Sequence, residues 1–323
     1  MMELAHNGYL VLPRLRVQNL NTISSPMTWG APAITAAMGF MHALQRKIPF
    51  DWKLDLLSLG MVIHEFEPQV NGSFIKKFNL TRNPVGRDGK TPGIIEEGRA
   101  HATISLVFGV YVEGDLADEE LWNQRVGQVF ITASSMRFAG GSIIHQERQW
   151  RKPQLLLMGD DGIETDAIKQ LRRSLLPGFA LISRDDLLIE RTKALQQEDA
   201  QANALDAWMD FGRINRRCVV TKTEQADGSI KETLEWVSDR QKGGGWLVPI
   251  PVGYSALSEL YEAGEVVNSR DPNVPFRFVE SMYSVGEWRS PHRLERLSDL
   301  LWETSTDHEA GIYRCINHNS NQQ

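Results

Sequence analysis

Through the first 150 residues, apolar and polar positions form a succession of alternating and helical stretches. Residues 9–17 (YLVLPRLRV) alternate: Tyr9, Val11, Leu15 and Val17 fall on one face, and Arg14, Arg16 and Gln18 on the other, which predicts a strand. A loop rich in Asn, Ser, Pro and Gly follows, and Pro32 suits the first turn of a helix. That helix would bury Ile34, Ala37, Met38, Met41, Leu44 and Ile48. A second strand is predicted over 55–67 and a third, strictly alternating, over 101–112. Asp118 is placed to cap a second helix with Trp122, Val126, Val129, Phe130 and Ala133 inward, and a Gly pair in 137–146 leads into a fourth strand.

Between the second and third strands, residues 69–100 break the rhythm. Asn83-Pro84, Asp88-Gly89 and Pro92-Gly93 are three closely spaced turn signals. They predict a hairpin projecting from the body. The order is therefore strand–helix–strand, excursion, strand–helix–strand. It predicts the α+β class, with a βαββαβ ferredoxin-like or RRM-like domain over 1–158 and an inserted hairpin at about 69–100. Residues 159–323 read as a mixed, partly helical region. Helices are predicted over 165–176 and 291–303, and one or two over 184–212. A polar, turn-rich segment at 222–245, with Asp227-Gly228 and the run Gly243 to Gly245, is a candidate mobile hairpin or linker.

Composition adds a charge asymmetry. The 323 residues suit about two domains, and the formal net charge is −6. Residues 1–158 carry 16 basic and 14 acidic groups, while residues 159–323 carry 19 and 27. Bulk charge therefore cannot hold a nucleic acid; segregated cations could. Residues 72–101 hold six (Lys76, Lys77, Arg82, Arg87, Lys90, Arg99), and residues 137–152 hold four (Arg137, Arg148, Arg151, Lys152). A plain solvated face would also account for excesses of this size. Two distant cysteines, Cys218 and Cys315, suit a reducing cytoplasm, and no metal-ligand spacing is present. Neither a signal peptide nor a membrane-spanning apolar run is evident, so a cytoplasmic protein is expected.

Most enzymatic chemistry finds no support. Gly89-Lys90-Thr91 imitates the end of a P-loop, but Pro84 occupies the leading glycine position and Pro92-Gly93 opposes the required helix. The string at Gly253 lacks the last glycine of a nucleophile elbow, and Pro68 stands where His64-Glu65 would need a second zinc-binding histidine. His42 and His101 are candidate general bases, although a structural histidine is the simpler account of each. Phe108-Gly109-Val110-Tyr111-Val112 is only a fragment of an RNP pattern. The basic features fare better. Arg14, Arg16 and Arg137 with the turn Gly140-Gly141-Ser142 could hold phosphate oxygens. Lys76, Lys77, Arg82 and Arg87 on the excursion could track a single-stranded backbone, with Phe74 and Phe78 available for stacking or for hairpin packing.

Long strings then carry a resemblance. LPRLRVQNLNTISSPMTWGAP (12–32), GFMHALQR (39–46), KFNLTRNPVGRDG (77–89), EEGRAHATISLVFGV (96–110) and MRFAGGSI (136–143) resemble the family of the second Csy subunit, the Cas-five-type RAMP proteins of type I-F CRISPR surveillance complexes. LLPGFALISR (175–184), GWLVPIPVGYSALSELYEAGEV (245–266), PFRFVE (275–280) and GEWRSPHRLERLSDLLW (286–302) agree as well. The resemblance implies a RAMP domain whose excursion is a thumb, and a non-catalytic subunit without cofactor or metal. It implies that the chain holds the 5′ handle of the CRISPR RNA, pairs with the large subunit, meets the first backbone subunit through the thumb and serves DNA targeting indirectly. In that role Asn19, Asn21, Ser24 and Ser25, in the loop before the first helix, would offer donors and acceptors to base edges. Two alternatives stay open: a metal-independent endoribonuclease acting on repeat RNA, and a pure assembly scaffold.

Overall fold

The computed structural model describes residues 5–86, 88–113, 118–144, 151–159, 162–213, 216–224, 230–238 and 245–319. Arg87, Arg148, the Asp227-Gly228 pair and Gly243-Gly244 lie outside them.

The first half supplies β1 (Gly8–Asn21), α1 (Ile34–Gln45), β2 (Leu54–Pro68), β3 (Arg99–Val112), α2 (Glu119–Ser134), β4 (Arg137–Phe138), β5 (Gly141–Ile144) and β6 (Gln154–Leu157). The strands run β2-β3-β1-β5-β4, every pair antiparallel, and β6 pairs with the start of β1. Helix α1 begins after Ala33, so Pro32 precedes the N-cap instead of opening the first turn. Asp118 caps α2 as expected, accepting from the Leu121 amide at 2.9 Å. The excursion is a three-stranded antiparallel unit of Val70–Asn71, Lys77–Arg82 and Ile94–Glu97.

Strand β1 departs from simple alternation. Arg14 and Asn19 adopt left-handed φ of 49° and 58°, and the pairing with β3 shifts between Leu12 and Leu15 and again between Val17 and Leu20. An extra residue in one strand reverses which side chains face which way. Tyr9 and Val11 therefore do not share a face with Leu15 and Val17. Leu10, Leu12, Leu15, Val17 and Leu20 enter the core beneath α1 and α2, whereas Tyr9 and Val11 enter a second core on the opposite face.

The second half contributes α3 (Asp166–Ser174), β7 (Phe179–Ser183), α4 (Asp185–Glu198), α5 (Ala204–Gly212), β8 (Trp246–Ala256), β9 (Val279–Arg289), β10 (Trp302–Asp307) and β11 (Ile312–Asn317). These strands continue the same sheet in the order β7-β9-β8-β11-β10-β2. β7 also returns to β2 at Ala180 and Val62, which closes a ring of six strands. Hydrogen bonding thus runs across residue 158 through both β7 and β10. Arg216–Glu224 pairs antiparallel with Ile230–Ser238, so part of the polar segment 222–245 belongs to a strand pair that begins before it.

The helix expected over 291–303 is not formed. Two 3-10 turns, Pro291–Arg293 and Leu297–Leu300, lead into β10. Tertiary partners outweigh the helical pattern here. The Asp299 carboxylate accepts the Glu295 and Arg296 amides at 2.9 Å each, Leu294, Leu297, Leu300 and Leu301 fill the second core with Ile168, Leu171 and Leu175 of the α3 region, and the Trp302 indole donates to the Leu181 carbonyl at 2.8 Å. No helix among the described residues is long and apolar enough to cross a membrane.

Candidate nucleic-acid interface

A tight turn anchors the candidate site. Ala139 and Gly140 take φ of 46° and 76° between β4 and β5. Gly141 then runs so close to β1 that a Cβ there would lie 2.7 Å from the Leu20 amide nitrogen and 2.8 Å from the Gln18 carbonyl oxygen. Only glycine meets both demands at low cost. The Asn21 amide donates to the Ala139 carbonyl at 2.9 Å, which fixes the turn against the end of β1.

Register sorts the neighbouring cations. Arg16 is opposite Ile144 and Thr103, and Ser142 is opposite both Gln18 and Arg137. Directly opposed residues share a face, so exposed Arg16, Ser142 and Arg137 lie together on the face away from α1 and α2. The second core covers that face only near Tyr9 and Val11.

At the strand ends a cleft of about 740 Å³ brings Asn21, Ser24 and Gly140 together with Arg99, Tyr254 and Tyr313. The tyrosines are cross-strand partners between β8 and β11, and their rings stack at 6.4 Å and 27°. Burial, followed by the nearby Cys315 and Tyr254, pushes the Tyr313 hydroxyl up to about 12, so it stays neutral beside an anion. Arg99 is held loosely by Glu97 at 3.4 Å. A guanidinium and a glycine turn can take phosphate oxygens, and stacked tyrosines can take a base. Arg99 appeared in the sequence only as one of six basic residues. Tyr254 and Tyr313, far apart in the chain, carried no signal there, because only β8–β11 pairing makes them neighbours.

Most of the predicted site side chains, Asn21 and Ser24 of the cleft among them, are engaged within the protein. Arg14 is half-buried, donating its amide to Ser105 Oγ at 2.9 Å and its guanidinium to the Leu176 carbonyl at 3.1 Å. Asn19 donates its amide to His101 Nδ1 at 3.3 Å, and its Oδ1 accepts from Gln69 at 2.6 Å. Asn21 closes its own turn through the Ile23 amide and carbonyl. Ser24 and buried Ser25 both bond the Thr28 hydroxyl, at 2.7 and 2.6 Å. Asn19 and Asn21 thus belong to β1 and not to the loop expected to hold them, while Ser24 and Ser25 hold the shape of the loop before α1. Lys76, Lys77 and Arg82 sit on the excursion, where Lys76 Nζ donates to the Gly72 carbonyl at 2.9 Å. Phe78 packs edge-on to Trp29 at 5.6 Å, whereas Phe74 is fully exposed. Among the described residues, no group of three or more His, Cys, Asp or Glu side chains is placed to hold a metal ion.

The histidines give a pH prediction. His101 meets Asn19 at one ring nitrogen and Gln69 at the other, at 3.1 Å. His64 lies between the Pro177 carbonyl at 2.6 Å and Ser105 Oγ at 2.7 Å. Burial holds its pKa below the ordinary 6.5 despite the Pro177 bond, and Arg14 and Arg151 add to the depression. Burial lowers His6 and His42 in the same direction. The unfolded chain therefore binds more protons than the folded one just below 6.5. Stability from these groups is complete above 6.5 and is lost as pH falls through their folded values. The melting temperature is expected to decline from pH 7 to about 5, with a shallower decline in His64→Gln. A flat profile in the parent protein would contradict the neutral buried histidines.

Comparison with known proteins agrees with the long strings. A family model described as CRISPR-associated protein (Cas_Csy2) matches residues 10–315. A protein of Pseudomonas aeruginosa (strain UCBPP-PA14), named CRISPR-associated protein Csy2, is 45% identical over 312 residues, covering 94% of each chain. The chain belongs to the Csy2 family of CRISPR-associated proteins.

Proposed function

We propose that this chain is a non-catalytic, RNA-holding subunit of a type I-F CRISPR surveillance complex in the cytoplasm. In this reading it grips the repeat-derived 5′ handle of the CRISPR RNA and pairs with the large subunit. The observation that carries the reading is the cleft where Arg99 and the Gly140 turn meet two stacked tyrosines, in a chain of the Csy2 family. The antiparallel order β2-β3-β1-β5 supports reading residues 1–158 as a ferredoxin-like RAMP domain. The excursion would be its thumb, reaching the first backbone subunit, and target DNA would be met indirectly through the guide.

Binding of the repeat-derived RNA to the chain together with the large subunit should weaken steeply with salt. If Arg16, Arg99 and Arg137 each neutralise one phosphate, the log–log slope should be about −2. A flat dependence would refute phosphate contact, and RNA cleaved in chelator by the wild-type protein would refute the non-catalytic reading. Removing residues 72–98 should leave soluble, folded protein that no longer joins the backbone subunit. Insoluble protein would count against an inserted thumb.

A further inference from the structure

Next to the cleft lies a second cavity, of about 330 Å³, with a different chemistry. Trp29 of the loop before α1, Phe66 and His64 of β2, Phe179 of β7, Trp246 of β8 and Trp288 of β9 line it. The rings are mutually braced: Phe179 meets Trp246 at 5.6 Å and 76°, and Trp246 meets Trp288 at 6.4 Å and 56°. Yet Trp29, Trp246 and Phe179 remain 47%, 57% and 43% exposed, so much of this aromatic surface is uncovered. His64 has both ring nitrogens engaged with Pro177 and Ser105, and adds a wall without a spare polar atom.

The two cavities share Ser24. One therefore offers a cation and a glycine turn, and the other, immediately adjoining, offers aromatic faces. This division matches the two parts of a nucleotide, an anionic phosphate and a flat, weakly hydrated base. The volume is at the small end for ligand pockets, which suits one ring system better than an extended peptide. Single-stranded RNA is commonly held by splaying a base onto such rings.

We propose that this pocket receives one flipped-out nucleobase of the RNA whose backbone lies in the adjoining cleft; the proposal rests on the RNA-holding reading above. With walls that are mainly aromatic and aliphatic, the pocket holds the base by stacking and burial. It therefore accepts any of the four bases, while requiring that a base be present.

The test uses the full chain with the large subunit and a labelled repeat-derived RNA in which each nucleotide in turn is made abasic. One abasic position should weaken binding roughly 10- to 100-fold, while exchanging the base there for another should change it less than about 3-fold. Trp246→Ala should cost about as much, and in that variant the abasic penalty should vanish, because the two changes remove one contact. Trp246→Phe keeps an aromatic face and should retain most of the affinity, which separates lost stacking from a damaged fold. RNA binding should also quench tryptophan fluorescence, and the abasic RNA should quench it less. The proposal is overturned if the abasic penalty persists in Trp246→Ala, or if both Trp246→Ala and Trp29→Ala bind RNA as the parent does. It is also overturned if those variants lose only the large subunit, since the pocket would then house a protein side chain. Absence of salt-dependent RNA binding by the parent would instead overturn the RNA-holding reading itself.

Discussion

Replacing Arg184 by Met is expected to lower the stability of the chain by about 3 kcal/mol. Arg184 stands at the start of α4, directly after β7. Its guanidinium holds the Asp186 carboxylate through Nε at 3.0 and 3.1 Å and a terminal nitrogen at 2.8 Å, and reaches Glu287 of β9 at 2.7 Å. The three side chains are only 15%, 21% and 8% exposed. Burial works against the charge, but the bonds to Asp186 and Glu287 overcome it and raise the pKa. Removing one member of a buried ion pair leaves its partner charged and desolvated, at a cost of about 3–5 kcal/mol. Glu287 keeps Arg289 at 2.8 Å, which places the expected loss at the low end. Arg184→Lys should recover only part of it, because an ammonium cannot reproduce the forked contact with Asp186. Denaturant unfolding of the full chain measures both. A loss under about 0.5 kcal/mol would show that water screens this network as it screens surface pairs.

The second large effect is on binding. The double variant Arg99→Glu, Tyr254→Ala is expected to weaken repeat-derived RNA roughly 100-fold or more. Losing a base–aromatic stack costs about 1–3 kcal/mol, and losing a charge-assisted hydrogen bond about 1.5–3 kcal/mol. The salt slope should become shallower by about 0.7 for the phosphate contact removed. Tyr254→Phe preserves the stacked pair and should bind within a few-fold of the parent. The Arg99 change should cost little stability, since the Arg99–Glu97 pair is a third exposed on each side and long at 3.4 Å, and losing the cross-strand Tyr254–Tyr313 pair should cost about 0.2–1 kcal/mol. Unchanged affinity in the double variant would remove the cleft as the RNA site.

The elements of the first half were legible because their apolar spacing is strong and local. Most buried positions of α1 (Ile34, Ala37, Met38, Met41 and Leu44) and all those of α2 (Trp122, Val126, Val129 and Ala133) are ones their periodicity marks, although buried Phe40 was missed and Phe130, expected inward, is only partly buried. The two faces of β1 were not legible. Alternation assumes one residue per pleat, and the left-handed φ at Arg14 and Asn19 breaks that assumption twice. The stretch 291–303 misled for the opposite reason. Its leucines recur at helical spacing, but the Asp299 carboxylate and the second core hold them in short turns.

The candidate interface divides along the same line. The glycine turn at 140–141, the cations Arg16 and Arg137 and the projecting excursion are local features, set by residue type and short spacing, and the sequence alone carries them. Family membership is likewise written in the order of residues along nearly the whole chain. The face that Arg16 and Arg137 share, the stacking of Tyr254 on Tyr313 and the aromatic pocket beside them depend on which strands pair. The first is settled by the pairing of β1 with β5 and of β5 with β4, and the other two by long-range hydrogen bonding between β8 and β11 and between β7 and β2, which brings residues distant in the chain into contact. Register is a property of two strands at once, so no single stretch of sequence contains it.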